Sequence, residues 1–316
     1  MIQLITENNY KLNMQVKIEP YLERKRTVDS FESFDGNRIS YEAYKTKGSK
    51  GAVIILHGFT ESAEKFREVS YYFYSQGYSV YAPDLRGHGN SYRTSVKAGT
   101  VNGNDFDDYV KDLEVLIDAV IKPTEERKPI YIYSHSLGGA AAILYMEKHP
   151  HVIRKAVLSS PMICGNMGMP VPVANTVAKL LCSLGGVNIS APGRCKFNPK
   201  LKFEKSDATS KARFEYYQEK RNNNGLLQTN GPSFSWVKAS VEARDRMLRD
   251  AYRIRTPLLI FIPEKDKQLL ASYQQKFISA VEGAKVVDIK GAKHEIFGST
   301  DDVLKEYYRD IFKFLA

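Results

Sequence analysis

Short apolar runs alternate with helically spaced apolar residues along most of this 316-residue chain. The apolar runs predict strands near residues 52–56, 79–83, 130–134, 155–160, 257–262 and 285–289. Apolar residues three and four positions apart predict helices over residues 63–76, 105–121 and 303–315. We expect Pro123 and the charged Glu125-Glu-Arg-Lys to end the second of these helices. Strands that are apolar throughout and alternate with helices predict a mostly parallel central sheet with helices on both faces.

Two regions depart from this alternation. Residues 26–44 predict a β-hairpin with Asp35-Gly36-Asn37 as its turn. Between residues 161 and 255 the sequence is rich in turn-forming residues, and helical patterns cover residues 174–184 and 237–252. We therefore expect three parts, which are an N-terminal arm (1–25), an α/β core (26–160 and 256–316) and an insert (161–255).

One serine lies where an apolar strand meets a helix built of small residues. The predicted strand is followed by Ser134-His135-Ser136-Leu137-Gly138-Gly139 and then by three alanines. A nucleophile elbow needs this pattern, because strand and helix pass so close that the positions two before and two after the serine must be small. The helix would also direct free N–H groups at a developing oxyanion. We therefore expect Ser136 to be a nucleophile; the alternative is that the glycines only mark a turn.

A histidine and an acid complete the predicted site. The partners of an elbow serine follow it along the chain in the order acid, then histidine. Of six histidines, His294 is the one well beyond Ser136, in a loop after a predicted strand, so it is the predicted general base. The acid is expected after the preceding strand, where we assign Asp266, with Glu264 and Asp288 as alternatives. Asp266 would orient the imidazole, and His294 would carry the proton to the leaving group.

The first buried strand ends in His57-Gly58-Phe59. The loop after this strand supplies one oxyanion donor at an elbow site, and the residue after the nucleophile supplies the other. The predicted donors are therefore the backbone N–H groups of Phe59 and Leu137. The next strand ends near Asp84 and Arg86, which we expect to form a buried hydrogen-bonded pair that stiffens the rim of the site.

These motifs resemble those of the α/β-hydrolase superfamily, and most closely its bacterial lysophospholipase and monoacylglycerol lipase branch. The resemblance covers about Phe31 to the C-terminus and rests on His57-Gly58-Phe59, Asp84-x-Arg86-Gly87-His88-Gly89-x-Ser91, His135-Ser136-x-Gly138-Gly139, Leu158-Ser-Ser-Pro161-Met162, Gly231-Pro232-Ser-x-x-Trp236, Thr256-Pro257-Leu258-Leu259 and Lys290-Gly291-Ala292-x-His294-Glu295-Ile296. It implies an α/β-hydrolase fold in which residues 161–255 form a lid, inserted after the sixth strand. It also implies hydrolysis of the acyl ester of a lysophospholipid or a monoacylglycerol.

The insert carries candidate substrate-binding residues. Met162 belongs to a group of methionine and aliphatic residues that either line a flexible acyl tunnel or pack the insert's own core. Phe234 and Trp236 follow a proline-led turn, and they either form a wall of the substrate pocket or anchor the insert. We take Met162, Phe234 and Trp236 as candidate contacts to a small lipid-ester substrate.

Charge and composition restrict the partners and cofactors that we expect for this protein. Residues 190–255 hold 15 Lys and Arg against 7 Asp and Glu, and the whole chain has a net charge of +10. This basic surface is either simply solvated or attracts an anionic membrane surface. We expect no nucleic-acid partner, metal or organic cofactor, because no binding module, ligand cluster or phosphate-cradling loop is visible. The oligomeric state is not predicted.

Targeting signals and cysteine usage point to the compartment. The N-terminus lacks the basic start and apolar run of a signal peptide, and no stretch approaches the roughly 20 apolar residues of a membrane-spanning helix. The three cysteines, Cys164, Cys182 and Cys195, are an odd number without metal-ligand spacing, which favours reduced thiols. We expect a cytoplasmic enzyme, with peripheral membrane contact left open.

The sequence predicts a serine carboxylic-ester hydrolase that works through an acyl-enzyme on Ser136. Alternatives on the same fold are an amidase or aminopeptidase and a carboxylesterase for small esters. An aminopeptidase would want an acidic pocket for a free amino terminus, whereas the insert is basic and apolar. A non-catalytic receptor with a hydrolase fold is a further alternative, and a complete triad with its oxyanion hole argues against it.

Overall fold

Ten strands run through the part of the chain that the computed structural model describes, residues 3–93, 99–191 and 197–316. They are β1 (Arg26–Glu32), β2 (Arg38–Tyr44), β3 (Ala52–Leu56), β4 (Ser79–Pro83), β5 (Thr100–Val101), β6 (Ile130–His135), β7 (Ile153–Ser159), β8 (Gly231–Pro232), β9 (Leu258–Pro263) and β10 (Lys285–Ile289). The predicted hairpin is confirmed, and each predicted strand is present with ends shifted by two residues at most.

Eight of these strands form one mostly parallel sheet, as predicted. Its order is β1-β2-β4-β3-β6-β7-β9-β10, whereas β5 and β8 pair separately. β2 is antiparallel to β1 and β4, and the other neighbours are parallel. Because parallel strands point the same way, the loops after β3, β6, β9 and β10 open at one edge of the sheet. The predicted site residues Phe59, Ser136, Asp266 and His294 follow these four strands.

Helices cover both faces of the sheet. They are α1 (Tyr10–Asn13), α2 (Glu19–Glu23), α3 (Arg67–Ser75), α4 (Asp107–Val115), α5 (Lys122–Glu125), α6 (Leu137–Lys148), α7 (Val171–Ser183), α8 (Lys211–Asn223), α9 (Phe234–Asp250), α10 (Ala271–Ala280) and α11 (Asp301–Leu315). Ile54 of β3 faces a core layer formed with α4, α6 and α9, and its neighbour Val53 faces a second layer formed with α3 and α11. This alternation is what a strand buried on both faces requires.

The helix that begins at Asp107 does not end where the sequence predicts. A π-helical turn, Leu116–Ile121, joins α4 to α5, and α5 continues past Pro123 to Glu125. Pro123 therefore does not end the helix, which stops at the first of the charged residues predicted to end it, Glu125. In a regular α-helix the proline ring clashes with the carbonyl four residues earlier, and the wider turn just before Pro123 gives the ring room.

The segment predicted as an N-terminal arm contains a helix that packs on the core. α1 continues through a π-helical turn, Met14–Ile18, into α2. Tyr10, Met14, Ile18 and Leu22 are spaced four residues apart and are all buried. They join the core layer of α3 and α11, so this segment is part of the hydrophobic core.

The insert lies between β7 and β9, which places it after the sixth strand of the large sheet along the chain. It contains α7 and α9, which the sequence predicts, and α8, which it does not. Arg213 fixes α8 to the rest of the molecule, because its buried guanidinium donates hydrogen bonds to Glu68, to Asp301 and to the backbone carbonyl of Ile5.

α7 and the residue that follows it present a row of apolar side chains to solvent. We call this row the α7 stripe, and its members, three or four residues apart and 38–74% exposed, are Val173, Val177, Leu180 and Leu184. Within the described ranges, no helix combines the length and apolar character needed to span a bilayer. Cys164 is buried and Cys182 is half-buried, both as free thiols, whereas Cys195 lies outside the described residues.

Candidate active site

Ser136 occupies a strained turn between β6 and α6. Its φ of 49° and ψ of −114° lie outside the regions that residues with a side chain ordinarily adopt, which is typical of an elbow nucleophile. A Cβ atom added to Gly138 would lie 2.3 Å from the carbonyl oxygen of Leu56, at the end of β3. The close crossing of strand and helix therefore requires glycine at this position.

Three side chains from three loops meet at this turn. Nε2 of His294 lies 3.0 Å from Oγ of Ser136, and Nδ1 of His294 lies 2.8 Å from a carboxylate oxygen of Asp266. The other oxygen of Asp266 accepts the backbone N–H groups of Gln268 and Leu269. These contacts have the order and the distances of a nucleophile, a general base and an orienting acid.

The two alternative acids point elsewhere. Glu264 is exposed and accepts the backbone N–H of Gly291 at 2.7 Å. Asp288 is an exposed residue of β10. Of the three acids considered from the sequence, Asp266 is thus the one that the fold brings to the imidazole of His294.

Burial and hydrogen bonding have opposite effects on the pKa values of His294 and Asp266. Burial disfavours a charged imidazole, but the hydrogen bond to Asp266 and its negative charge outweigh burial and raise the pKa of His294. Burial also disfavours a charged carboxylate, but the hydrogen bond and charge of His294, together with the backbone N–H groups of Gln268 and Leu269, outweigh burial and lower the pKa of Asp266. Asp266 therefore stays ionised, and the imidazole beside it is a stronger base than an isolated histidine.

The predicted oxyanion donors belong to two loops that are tied together. The backbone N–H of Gly138 donates to the carbonyl oxygen of His57 at 3.0 Å, which joins the elbow to the loop after β3. Nε2 of His57 accepts the N–H of Leu85 at 2.8 Å and braces that loop. Within residues 3–93, 99–191 and 197–316, the N–H groups of Phe59 and Leu137 donate to no protein acceptor. Both donors are therefore available to a substrate oxygen.

Aromatic rings border the oxyanion loop. The ring centroids of Phe59 and Trp236 are 4.6 Å apart, and Phe106 contacts the other side of the cluster at 5.3 Å from Trp236. The indole N–H of Trp236 donates to the hydroxyl of Tyr109 at 3.1 Å. Trp236, although it belongs to the insert, is therefore held against the loop that carries a predicted oxyanion donor.

The other two candidate substrate contacts differ in position. Met162 is buried next to the elbow, where its backbone N–H donates to the carbonyl of Ser136 at 3.0 Å. Phe234 packs with Ala178 and Val237, which lie on α7 and α9 of the insert. Met162 is thus adjacent to the nucleophile, whereas Phe234 forms part of the packing between two helices of the insert.

Sequence comparison relates this chain to a known group of enzymes. The sequence model of the family described as serine aminopeptidase, S33, matches residues 47–301. The chain belongs to this family of α/β-hydrolases. The predicted resemblance is therefore confirmed at the level of the family and the fold.

Individual relatives of this S33-family hydrolase cover most of its length. Lysophospholipase L2 of Escherichia coli strain K12 is 26% identical over 303 residues, which cover 88% of this chain and 84% of that protein. Monoacylglycerol lipase of Mycolicibacterium smegmatis is 25% identical over 282 residues, covering 88% of this chain and 94% of that protein. The crystal structure of a monoacylglycerol lipase from Paleococcus ferrophilus is similar with a TM-score of 0.69 at 22% identity, covering 88% of this chain and 98% of that one.

In this S33-family hydrolase, Asp84 and Arg86 do not form the predicted pair. Arg86 instead binds Asp112 at 2.7 Å and Asp35 at 2.8 Å. Asp84 accepts two backbone N–H groups and packs under a tight turn, where a Cβ atom on Gly89 would lie 2.2 Å from its carboxylate. The prediction is wrong because the turn holds the carboxylate of Asp84 against backbone donors. The guanidinium of Arg86 therefore binds acids on other elements.

A charged cluster beside the site was not predicted. Nζ of Lys65 lies 2.7 Å from Glu61 and 2.5 Å from Glu295, the residue after His294. We call Glu61, Lys65 and Glu295 the Lys65 cluster. The spacing of four residues between Glu61 and Lys65 is a signal that the sequence does carry. Glu295 is 230 residues away from Lys65, so the fold alone brings it there.

Proposed function

We propose that this protein is a serine carboxylic-ester hydrolase that cleaves the acyl ester of a single-chain lipid, a lysophospholipid or a monoacylglycerol. The observation that carries the proposal is the hydrogen-bonded chain from Ser136 through His294 to Asp266 at a strained elbow. The relatives named lysophospholipase L2 and monoacylglycerol lipase support this class of substrate.

In the acylation step, Oγ of Ser136 attacks the ester carbonyl carbon while Nε2 of His294 takes its proton. The oxyanion of the tetrahedral intermediate accepts hydrogen bonds from the N–H groups of Phe59 and Leu137, each of which is worth about 10²–10³-fold in rate. Asp266 holds the imidazole in the required tautomer and stabilises its charged form. When the intermediate collapses, His294 gives the proton to the departing alcohol oxygen, and the acyl group remains on Ser136.

Deacylation repeats these steps with water as the nucleophile. His294 takes a proton from water as its oxygen attacks the acyl carbon, and the same two N–H groups bind the second oxyanion. Collapse returns the proton to Oγ of Ser136 and releases the fatty acid. One base thus serves both half-reactions.

The insert contributes the lid and the membrane contact in this proposal. Residues 161–255 form the lid, and Trp236 and Met162 are the lid residues assigned to the substrate, because they lie against the oxyanion loop and the elbow. The α7 stripe would dip into the lipid surface that holds the substrate, and the excess of Lys and Arg between residues 190 and 255 favours an anionic surface.

The family description makes an aminopeptidase the competing function. A free amino terminus needs an acid that is not already neutralised. Beside the triad, Glu61 and Glu295 are both paired with Lys65, and Asp207 accepts the side-chain amide of Gln268. One ammonium cannot neutralise two glutamates, and an amide does not neutralise a carboxylate, so charge does not decide against an amino terminus. The preference for an ester rests on the relatives named lysophospholipase L2 and monoacylglycerol lipase.

Release of fatty acid from lysophosphatidylcholine, lysophosphatidylglycerol and monoacylglycerol, measured side by side, tests the proposal. Ser136→Ala is the control, and alanine and proline p-nitroanilides test the aminopeptidase. We expect release from at least one lipid, loss of release in the variant and no cleavage of the anilides. Labelling of Ser136 by a fluorophosphonate without release from any lipid would refute the lipid substrate, and cleavage of the anilides alone would make the protein an aminopeptidase.

A further inference from the structure

The Lys65 cluster is more enclosed than a surface ion pair. The side chain of Lys65 is 11% exposed, and that of Glu61 is 5% exposed. Nζ of Lys65 also lies 5.0 Å from the ring centroid of Tyr217 and 5.4 Å from that of Phe297. Burial disfavours the ammonium, but the charges of Glu295 and Glu61 outweigh burial and raise the pKa of Lys65, so the group is charged at neutral pH.

Each carboxylate of the cluster is attached to a different part of the candidate site. One oxygen of Glu61 accepts the backbone N–H of Gly58 at 2.6 Å, directly before the predicted oxyanion donor of Phe59. A Cβ atom on Gly58 would lie 2.7 Å from this carboxylate, so Glu61 packs closely against the loop. Glu295 follows His294, and its backbone N–H donates to the carbonyl of Asp207 at 2.9 Å.

We propose that Lys65 is a positioning residue for ester hydrolysis, which sets the distance between the oxyanion loop and the histidine loop by bridging Glu61 and Glu295. The inference rests on the proposed function in that it takes Ser136 as the nucleophile. Lys65 does not touch the substrate. It acts through Gly58 on the N–H of Phe59 and through Glu295 on the imidazole of His294.

Removal of the ammonium would act on both loops at once. Glu61 and Glu295 would face each other without an intervening positive charge, and two like charges in a poorly solvated site repel strongly. The carboxylates would separate or take up a proton, and either response moves Gly58 relative to His294. Because oxyanion stabilisation depends on donors being held in place before the charge develops, this movement affects kcat more than KM.

Lys65→Met is the variant that tests this role, because it keeps the length of the side chain and removes its charge. With a soluble short-chain ester, we expect kcat to fall on the order of 10- to 100-fold and KM to change by less than about threefold. We expect Lys65→Arg to recover activity to within about fivefold of wild type, since a guanidinium can bind two carboxylates.

Lys220→Met is the matched control. Lys220 is also a partly buried lysine that bridges two carboxylates, those of Glu19 and Glu64. Within the described residues it is Glu61, and neither of these two carboxylates, that accepts the backbone N–H of Gly58. We expect its kcat to stay within about twofold of wild type, because loss of this bridge affects stability and not the position of the oxyanion donors. Equal losses in Lys65→Met and Lys220→Met would show a general effect of charge or stability and overturn the proposal.

The single tryptophan of the chain, Trp236, supplies a readout that does not depend on turnover. Its ring lies 4.6 Å from that of Phe59, so displacement of the oxyanion loop changes its emission and its quenching by acrylamide. We expect a change in Lys65→Met and wild-type emission in Lys220→Met. If Lys65→Met does not fold, Glu295→Gln removes one arm of the bridge and should give an intermediate loss of kcat.

Two further results would overturn the proposal. One is a folded Lys65→Met protein with wild-type kcat and emission, and the other is a loss that appears in KM alone. Failure of the proposed function would look different, because wild-type protein would not react with a fluorophosphonate or hydrolyse esters. In that case the emission of Trp236 still decides whether Lys65 holds the loop.

Discussion

Gly138→Ala is the smallest change that tests the nucleophile elbow. The added Cβ would lie 2.3 Å from the carbonyl oxygen of Leu56, 2.6 Å from its carbonyl carbon and 2.7 Å from its Cβ atom. Non-bonded carbon atoms sit about 3.5–4.0 Å apart at their optimum, so the two segments must separate by about 1 Å. Two of the three contacted atoms belong to the backbone, so a change of side-chain rotamer cannot remove the clash.

That separation has a cost in stability and a larger cost in rate. Overpacking of this kind destabilises a protein by about 1–3 kcal/mol. In the wild-type protein Oγ of Ser136 lies 3.0 Å from Nε2 of His294. A displacement of α6 by about 1 Å would move Ser136 beyond hydrogen-bonding distance of this imidazole. Misplacement of a reacting group by about 1 Å lowers the rate on the order of 100-fold. We therefore expect Gly138→Ala to remain folded and to react about 100-fold more slowly.

The rate of labelling by a fluorophosphonate measures this effect, and urea unfolding measures stability. Gly225→Ala is the control, because a Cβ atom there meets nothing within 4 Å. The control should match wild type in both measurements. Wild-type labelling by a stable Gly138→Ala protein would refute the steric reasoning, since the helix would then have absorbed the methyl group without moving the serine.

Three further predictions use other parts of the structure. Asp266→Asn should lower kcat about 10⁴-fold. Because neutral imidazole is the base, wild-type kcat/KM should fall as the pH drops through the raised pKa of His294. In the variant this fall should occur at lower pH, and a fall at the wild-type pH would count against the role of Asp266. Arg213→Met leaves Glu68 buried without its partner and should lower the free energy of unfolding by about 3–5 kcal/mol in urea, whereas an unchanged midpoint would contradict the role of this ion pair. Leu180→Asp should weaken binding to phosphatidylglycerol vesicles at least about tenfold and leave hydrolysis of a soluble ester unchanged. Vesicle binding equal to that of wild type would exclude the α7 stripe as the membrane contact.

The strands and the elbow could be predicted because their constraints are local. A strand buried on both faces is apolar along its length, which β3 shows directly and β6 shows up to Tyr133, before the polar residues of the elbow. The elbow needs small residues at fixed offsets from Ser136, and chain order then leaves His294 as the base. The structure brings His294 and Asp266 to Ser136, whereas their catalytic roles stay predictions.

The elements that were not predicted depend on distant contacts. The buried residues of α8 include Arg213 and Gln218, so this helix has no apolar face to recognise in the sequence. Its ion pair with Glu68 joins residues 145 positions apart. Glu295 in the Lys65 cluster likewise pairs with a residue 230 positions away along the chain. The helix of residues 10–23 differs, because the spacing of Tyr10, Met14, Ile18 and Leu22 is visible in the sequence. The exposed apolar residues Leu12 and Val16 obscure this spacing.

The contact between Arg213 and Ile5 has a consequence for the time course of synthesis. It joins residues 208 positions apart along the chain. At about 5–20 residues per second, roughly 10–40 s pass between the synthesis of Ile5 and that of Arg213. Until α8 appears, the N-terminal helix can dock on α3 but lacks the guanidinium that binds Glu68 and the carbonyl of Ile5. The helix of residues 10–23 therefore leaves the ribosome long before the residue that fastens it has been made.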